Sequence, residues 1–246
     1  MKKMKMKSEC KNNKLNRRIS IIIRDKLVNN DTATIMVFHA FEGRGKFTLE
    51  YAYKIAKSGY KVFVVDMYGN AETSNTIDRC FKLIGPFLND RSLVRRRANL
   101  AFQALLSQSG INPHKIGAIG FCFGGMCALE LARDGLDIKA IVSIHGVPVK
   151  SELPTKVIKS KLLFLHGYKD PQVPPQVLSE LATELENAGS TDWIFTFFGD
   201  AKHSFTDPKS GTFDPGKEKE MGREYNELAA QRSYRYAMDF FKEILG

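Results

Sequence analysis

The sequence predicts an α/β protein, with a mostly parallel central sheet and helices on both of its faces. Three observations carry that prediction. From about residue 19 onward, short apolar runs of strand length alternate with longer amphipathic stretches. The runs are apolar almost throughout rather than at every second residue, as in strands covered on both faces. No long linker, internal repeat or shift of composition interrupts the alternation, so residues 19–246 read as one domain.

Ile19 to Ile23 and Ile35 to Phe38 are the first two strands. Lys46 to Lys57 reads as a helix, with Phe47, Tyr51 and Ile55 on one face and a stop at Ser58-Gly59. Lys61 to Val65 is the next strand, closed by Asp66-Met67-Tyr68-Gly69. Thr76 to Gln108 reads as two helices broken near Gly85-Pro86, because proline ends or kinks a helix. Lys115 to Ile119, Ile138 to Ile144, Lys161 to Leu165 and Trp193 to Phe198 follow as strands. Gly124 to Arg133, Pro174 to Ala188 and Glu224 to Leu245 are the remaining helices. In such sheets reactive groups gather in the loops beyond the carboxyl ends of the strands.

Composition narrows the function classes. The chain has 246 residues, 43% hydrophobic and 26% charged, which is globular rather than disordered. No run approaches the roughly 18 apolar residues of a membrane span. Residues 1–20 carry eight Lys and Arg against Glu9 alone, a net +7 of the total +10. The basic excess is therefore a tail over residues 1–18, expected to be solvated and disordered, and it implies no specific nucleic-acid partner. No apolar segment follows the tail before Arg17-Arg18, so a secretion signal is not expected. Arg95-Arg96-Arg97 reads as an exposed helix face. The four cysteines, Cys10, Cys80, Cys122 and Cys127, form no metal-ligand spacing and no disulfide scaffold. They read as free thiols of a reducing compartment, with Cys80 and Cys127 in the core.

Gly120-Phe121-Cys122-Phe123-Gly124-Gly125 is the sharpest local signal. It lies between a predicted strand and a predicted helix and matches the nucleophile-elbow pattern G-x-S-x-G, with cysteine in the serine position. The turn forces the central residue into a strained conformation and needs small neighbours. Its side chain then stands at a helix N-terminus, where unpaired N–H groups and the helix dipole favour negative charge. The N–H of Phe123 is placed to hydrogen-bond a carbonyl oxygen under attack.

A nucleophile needs a base and an orienting acid, in the chain order nucleophile, acid, histidine for this kind of elbow. Asp170 follows the strand Lys161 to Leu165, in His166-Gly167-Tyr168-Lys169-Asp170. His203 lies past the last strand, in Gly199-Asp200-Ala201-Lys202-His203. Among the alternatives, His39 precedes the elbow, in the position that supplies oxyanion-hole backbone. His145 and His166 read as loop packing, His114 is at the wrong end of its strand, and Asp66 is a rival acid that comes too early in the chain.

With these motifs the chain resembles the dienelactone hydrolase family of the α/β-hydrolase fold. The resemblance runs through HAFEGRG at 39–45, SGYKVFVVDMYGN at 58–70, GFCFGG at 120–125, HGYKDPQVP at 166–174 and GDAKHSFTDP at 199–208. It implies that Cys122 is the nucleophile, His203 the base and Asp170 its orienter. Phe41 and Phe123 would then supply the oxyanion-hole N–H groups. The implied activity is hydrolysis of a small-molecule ester or lactone through a thioester acyl-enzyme, with no metal or other cofactor. The implied protein is cytoplasmic, a monomer or weak homodimer, with no membrane partner.

Two positions depart from the family pattern. Family members commonly carry Glu directly after the position of His39; here it is Ala40, and Glu42 is the candidate auxiliary carboxylate. Four residues after the histidine, where enzymes acting on dienelactone carry an arginine, stands Asp207; Arg79 is another possible source of charge. Thr206 to Gly222, rich in Gly, Pro and charge, is expected to form a mobile flap.

Two other classes compete with the hydrolase reading. A class I glutamine amidotransferase also uses G-x-C-x-G, but places an acid two residues after its histidine, where this chain has Phe205. A non-catalytic or redox-sensing homologue would use Cys122 as a reactive thiol.

Overall fold

The computed structural model describes residues 20–23 and 28–246. The basic tail predicted over residues 1–18, with Cys10, lies outside them. In chain order the elements are β1 (Ser20–Ile23), β2 (Thr34–Phe38), α1 (Lys46–Lys57), β3 (Lys61–Val65), α2 (Ile77–Asn89) and α3 (Arg91–Leu106). They continue with β4 (Ile116–Phe121), α4 (Phe123–Arg133), β5 (Ala140–Ile144), β6 (Lys161–Gly167) and α5 (Pro175–Asn187). β7 (Trp193–Phe198), α6 (Pro215–Glu220) and α7 (Glu227–Leu245) complete the chain.

The strands form one sheet in the order β1-β3-β2-β4-β5-β6-β7. β1 runs antiparallel to β3, and every other pair is parallel. Every residue of β2, β3, β4 and β5 is buried, which is why these strands read as continuous apolar runs instead of alternating ones. β7 pairs on one side only, and its Ile194 and Phe197 are exposed.

Two expectations need correction. The break between α2 and α3 falls at Asp90, not at Gly85-Pro86. Pro86 is tolerated inside α2 because it sits on an exposed turn, while Ile84 and Phe87 on either side anchor the helix to the core. Asp90 starts the next helix by accepting the Leu93 N–H at 3.1 Å. The arginine run is not a solvated face either: only Arg96 is exposed. Arg95 Nε donates to buried Glu130 at 2.9 Å, and Arg97 donates to the Met67 carbonyl at 3.2 Å.

Residues 206–222, where a mobile flap is expected, make contacts with the body of the fold in this structure. Thr206 meets His145, the Asp214 side chain accepts the Lys217 N–H to start α6, and Glu218 is fully buried. α6 has too few residues to show helical periodicity; Asp214-Pro215, a cap followed by proline at the first helical position, was its local cue.

α4 is buried on all sides, so its charged residues must find partners inside. Arg133 Nη1 lies 2.9 Å from Glu130, and Nη2 lies 2.7 Å from Glu184 of α5. Cys80, Cys122 and Cys127 are all buried, free thiols. Among the described residues no helix is long and apolar enough to cross a membrane.

Candidate active site

β4 delivers the chain to Cys122, and α4 begins at the next residue. Cys122 has φ 52° and ψ −116°, a left-handed conformation that costs an L-residue about 1–3 kcal/mol. The neighbouring glycines are forced by close approach. A Cβ at Gly120 would stand 2.0 Å from the Gly124 carbonyl oxygen, and one at Gly124 would stand 2.3 Å from that of Phe38. The elbow is held from outside as well: the Cys122 N–H donates to the Ile144 carbonyl, and the Cys122 carbonyl accepts from Gly125 and Val147.

Asp170 and His203 meet at the same edge of the sheet. Both are buried, and His203 Nδ1 lies 2.7 Å from Asp170 Oδ2. The other carboxylate oxygen accepts the N–H groups of Gln172 (2.8 Å) and Val173 (3.3 Å). Burial would raise the Asp170 carboxyl, but the His203 hydrogen bond and charge outweigh it and hold the group below its ordinary value. Nδ1 of His203, facing a carboxylate, is thereby the donor nitrogen. Nε2 makes no hydrogen bond to Cys122 Sγ in this structure. Burial would push the imidazole down. The charge of Cys122 and then the Asp170 hydrogen bond more than offset it, raising the imidazole to about 9.

The oxyanion-hole candidates are Phe41, in the loop after β2, and Phe123, the first residue of α4. The N–H groups of Phe41 and Phe123 make no hydrogen bond among the described residues. His39 shapes this loop: its Nε2 accepts the Met67 N–H at 3.1 Å, and its Nδ1 donates to the Ala40 carbonyl at 2.7 Å. Burial holds this ring neutral, with a pKa near 4. Tyr68 donates from its hydroxyl to the Phe41 carbonyl at 2.9 Å.

Asp66, the rival acid, is occupied elsewhere, accepting the N–H groups of Gly69 and Ala71. His114 is exposed at the far end of β4. His145 does more than pack a loop. Its ring lies 5.2 Å from that of His203, and its Nε2 lies 2.8 Å from Thr206 Oγ1. Burial, then the neighbouring His203 charge, hold it well below its ordinary value. Its position at the end of β5 was the available signal. Burial likewise drives His166 down to about 4. No group of three His, Cys, Asp or Glu among the described residues is arranged to hold a metal ion.

The sequence profile of the dienelactone hydrolase family matches residues 23–245. The chain belongs to that family. It is therefore a hydrolase of the ester and lactone type. It is 33% identical to an uncharacterized protein of Caenorhabditis elegans over 153 residues, 61% of this chain and 93% of the other. It is 26% identical to a mouse carboxymethylenebutenolidase homolog over 190 residues, 76% of each chain. Among solved structures, a dienelactone hydrolase-like promiscuous phosphotriesterase from metagenomic libraries superposes with a TM-score of 0.85. That protein is 31% identical, with 92% of both chains covered.

Within this dienelactone hydrolase fold the two departures acquire a geometry. Ala40 is buried and carries no carboxylate. Glu42 forms an ion pair with Nη2 of Arg223, a buried residue that nothing in the local sequence marks out. Asp207 is buried nearby and accepts the Lys209 N–H at 2.9 Å. Burial, followed by the Glu42 and Glu218 charges, raises its carboxyl. Arg79 is exposed and paired with Glu72 at 2.8 Å, so it is not part of this cluster.

Proposed function

We propose that this enzyme cleaves a carboxylic ester or lactone by a Cys122–His203–Asp170 triad through a thioester acyl-enzyme. The observation that carries the proposal is the buried Asp170–His203 hydrogen bond, with the imidazole raised by the charge of Cys122 on the elbow. Asp170 keeps Nδ1 protonated, so Nε2 is the nitrogen that takes the Cys122 proton as Sγ becomes the attacking nucleophile.

Cys122 Sγ attacks the carbonyl carbon, and the electron pair of the C=O bond moves to oxygen. The resulting oxyanion is stabilised by the N–H groups of Phe41 and Phe123, which make no other hydrogen bond among the described residues. The C–O bond to the alcohol then breaks, and the alcohol oxygen takes the proton from His203 Nε2. Water, deprotonated by the same nitrogen, attacks the thioester carbon. The C–S bond breaks, a carboxylic acid is released and the thiolate is restored. Asp170 keeps Nδ1 protonated and stabilises the imidazolium throughout. The sequence requires a small-molecule substrate and water, and no cofactor takes part; a monomer or weak homodimer in the cytoplasm suffices for it.

The test is turnover of short-chain chromogenic esters by wild type, Cys122→Ala and His203→Ala. Both variants should lose at least about 10³-fold in kcat, as other triads do. Equal turnover in all three would sink the proposal. The panel should include lactones and a phosphotriester, since a relative is described as a promiscuous phosphotriesterase. An enzyme that turns over no ester or lactone but whose Cys122 oxidises reversibly would favour the redox-sensing reading.

A further inference from the structure

Arg223 joins the two loops that the proposed mechanism must hold in register. Its guanidinium carbon stands 4.4 Å above the centre of the Phe41 ring, and its Nη2 pairs with Glu42, the next residue of the same loop. Its Nε lies 3.2 Å from Glu218 of α6, which is fully buried. The backbone of Arg223 pairs with the base-bearing loop. His203 and Arg223 form a β-bridge, with the His203 N–H donating to the Gly222 carbonyl and the Glu224 N–H donating to the His203 carbonyl, both at 3.0 Å. The segment around one buried residue thus holds His203 through the main chain of Gly222 and Glu224, and the Phe41–Glu42 loop through the Arg223 side chain.

We propose that Arg223 is the positioning residue that fixes the Phe41 N–H relative to His203, and so sets the oxyanion hole against the base. This rests on the assignment of Phe41 and His203 in the proposed function. The physics favours arginine specifically. Only a planar guanidinium can stack on a ring and direct separate N–H groups to two carboxylates at once, whereas a lysine ammonium is a point charge that must choose. Arg223 and Glu218 are buried, and Glu42 is partly exposed at the edge of the same cluster. The contacts resist displacement, because Glu218 would otherwise be left buried with a weaker partner.

The experiment compares wild type, Arg223→Lys, Arg223→Met and Glu42→Gln by three readouts. The first is kcat and KM on a chromogenic ester. The second is alkylation of Cys122 by chloroacetamide, a displacement at carbon that forms no oxyanion. The third is amide hydrogen exchange by mass spectrometry. A misplaced oxyanion donor should lower kcat by about 10- to 100-fold, approaching the loss of a deleted donor, with KM little changed. Alkylation of Arg223→Lys should match wild type, because the positive charge near the thiol is kept. Exchange should accelerate in residues 40–45 and 201–206 of Arg223→Met, and not in 116–121.

Unchanged kcat in a folded Arg223→Lys, or unchanged exchange in both loops of Arg223→Met, would overturn the proposal. So would alkylation falling in parallel with kcat in Arg223→Lys, which would place the effect on the sulfur. If Arg223→Met does not fold, Glu42→Gln, which loosens the same tie from the other end, should show the faster exchange in 40–45 and the loss of kcat. If wild type turns over no ester, the triad reading fails while exchange still decides the positioning role.

Discussion

Gly167 and Ala201 are in such close approach that a Cβ at residue 167 would stand 2.4 Å from the Ala201 carbonyl oxygen. This contact lets the loop carrying His203 lie against the loop carrying Asp170, and the Lys169 N–H donates to that same Ala201 carbonyl at 3.0 Å. Gly167→Ala must push the two loops apart through backbone. It should cost about 1–3 kcal/mol of stability as local overpacking. Misplacing the base should also lower kcat by about 10- to 100-fold. Denaturant melts and ester kinetics on the same preparation check both effects; an unchanged kcat would show that the approach is not needed to align the pair.

Asp170→Asn should cut kcat by about 10³–10⁴-fold, because an amide can hold His203 in the wrong tautomer. The pH profile supplies a sharper test. His203 is raised to about 9, with Asp170 among the causes. Its proton should remain available to the leaving alcohol up to about pH 9, so kcat/KM should hold to that point and decline above it. In Asp170→Asn the alkaline limb should move to lower pH. A limb that stays in place would remove Asp170 from the circuit.

Acid sensitivity should come in part from two histidines that take no proton from substrate. His39 and His166 are buried and neutral, each lowered to about 4. In the unfolded chain each titrates near 6.5. The unfolded state thus binds more protons between these values. The stability each contributes is present above about pH 6.5 and is lost as pH falls toward 4, roughly 3 kcal/mol apiece at the limit. Melting temperature measured from pH 8 to 4 should fall across that window, and His166→Leu should fall less steeply. A parallel decline in the variant would rule out His166 as a contributor.

Glu130 and Arg133 should matter to folding and not to chemistry. Glu130 is fully buried beside Arg133 and Arg95, so Glu130→Ala takes from Arg95 its ion-pair partner and leaves buried Arg133 with Glu184 alone. A loss of about 3–5 kcal/mol is expected from breaking one side of a buried network. Kinetics of the fraction that remains folded should match wild type in kcat. A selective loss of kcat would connect this network to the site.

Much of the fold was legible because its cues are local. Fully buried strands announce themselves as apolar runs, and the elbow carries its own glycines, each explained by one backbone contact. The Asp170–His203 partnership was legible from order along the chain, since each follows a strand end. Features that depend on what lies opposite were not. Pro86 looks like a helix breaker until its exposed setting is known, and Arg95 looks like solvated charge until Glu130 appears across the helix pair. Arg223 has no local signal at all; its place is set by Phe41, Glu42 and Glu218, the first two more than 180 residues away. His145 was visible as a strand-end histidine, but its contact with His203 needs the loop after β7 to fold back.

The most direct test is acid-quenched mass spectrometry of the enzyme caught during turnover of a slowly hydrolysed chromogenic ester. The account predicts a burst of alcohol release and an added acyl mass on the peptide containing Cys122, removable by hydroxylamine and absent from Cys122→Ala. Turnover at the wild-type rate with no acyl group on that peptide, or with the group on another residue, would contradict it.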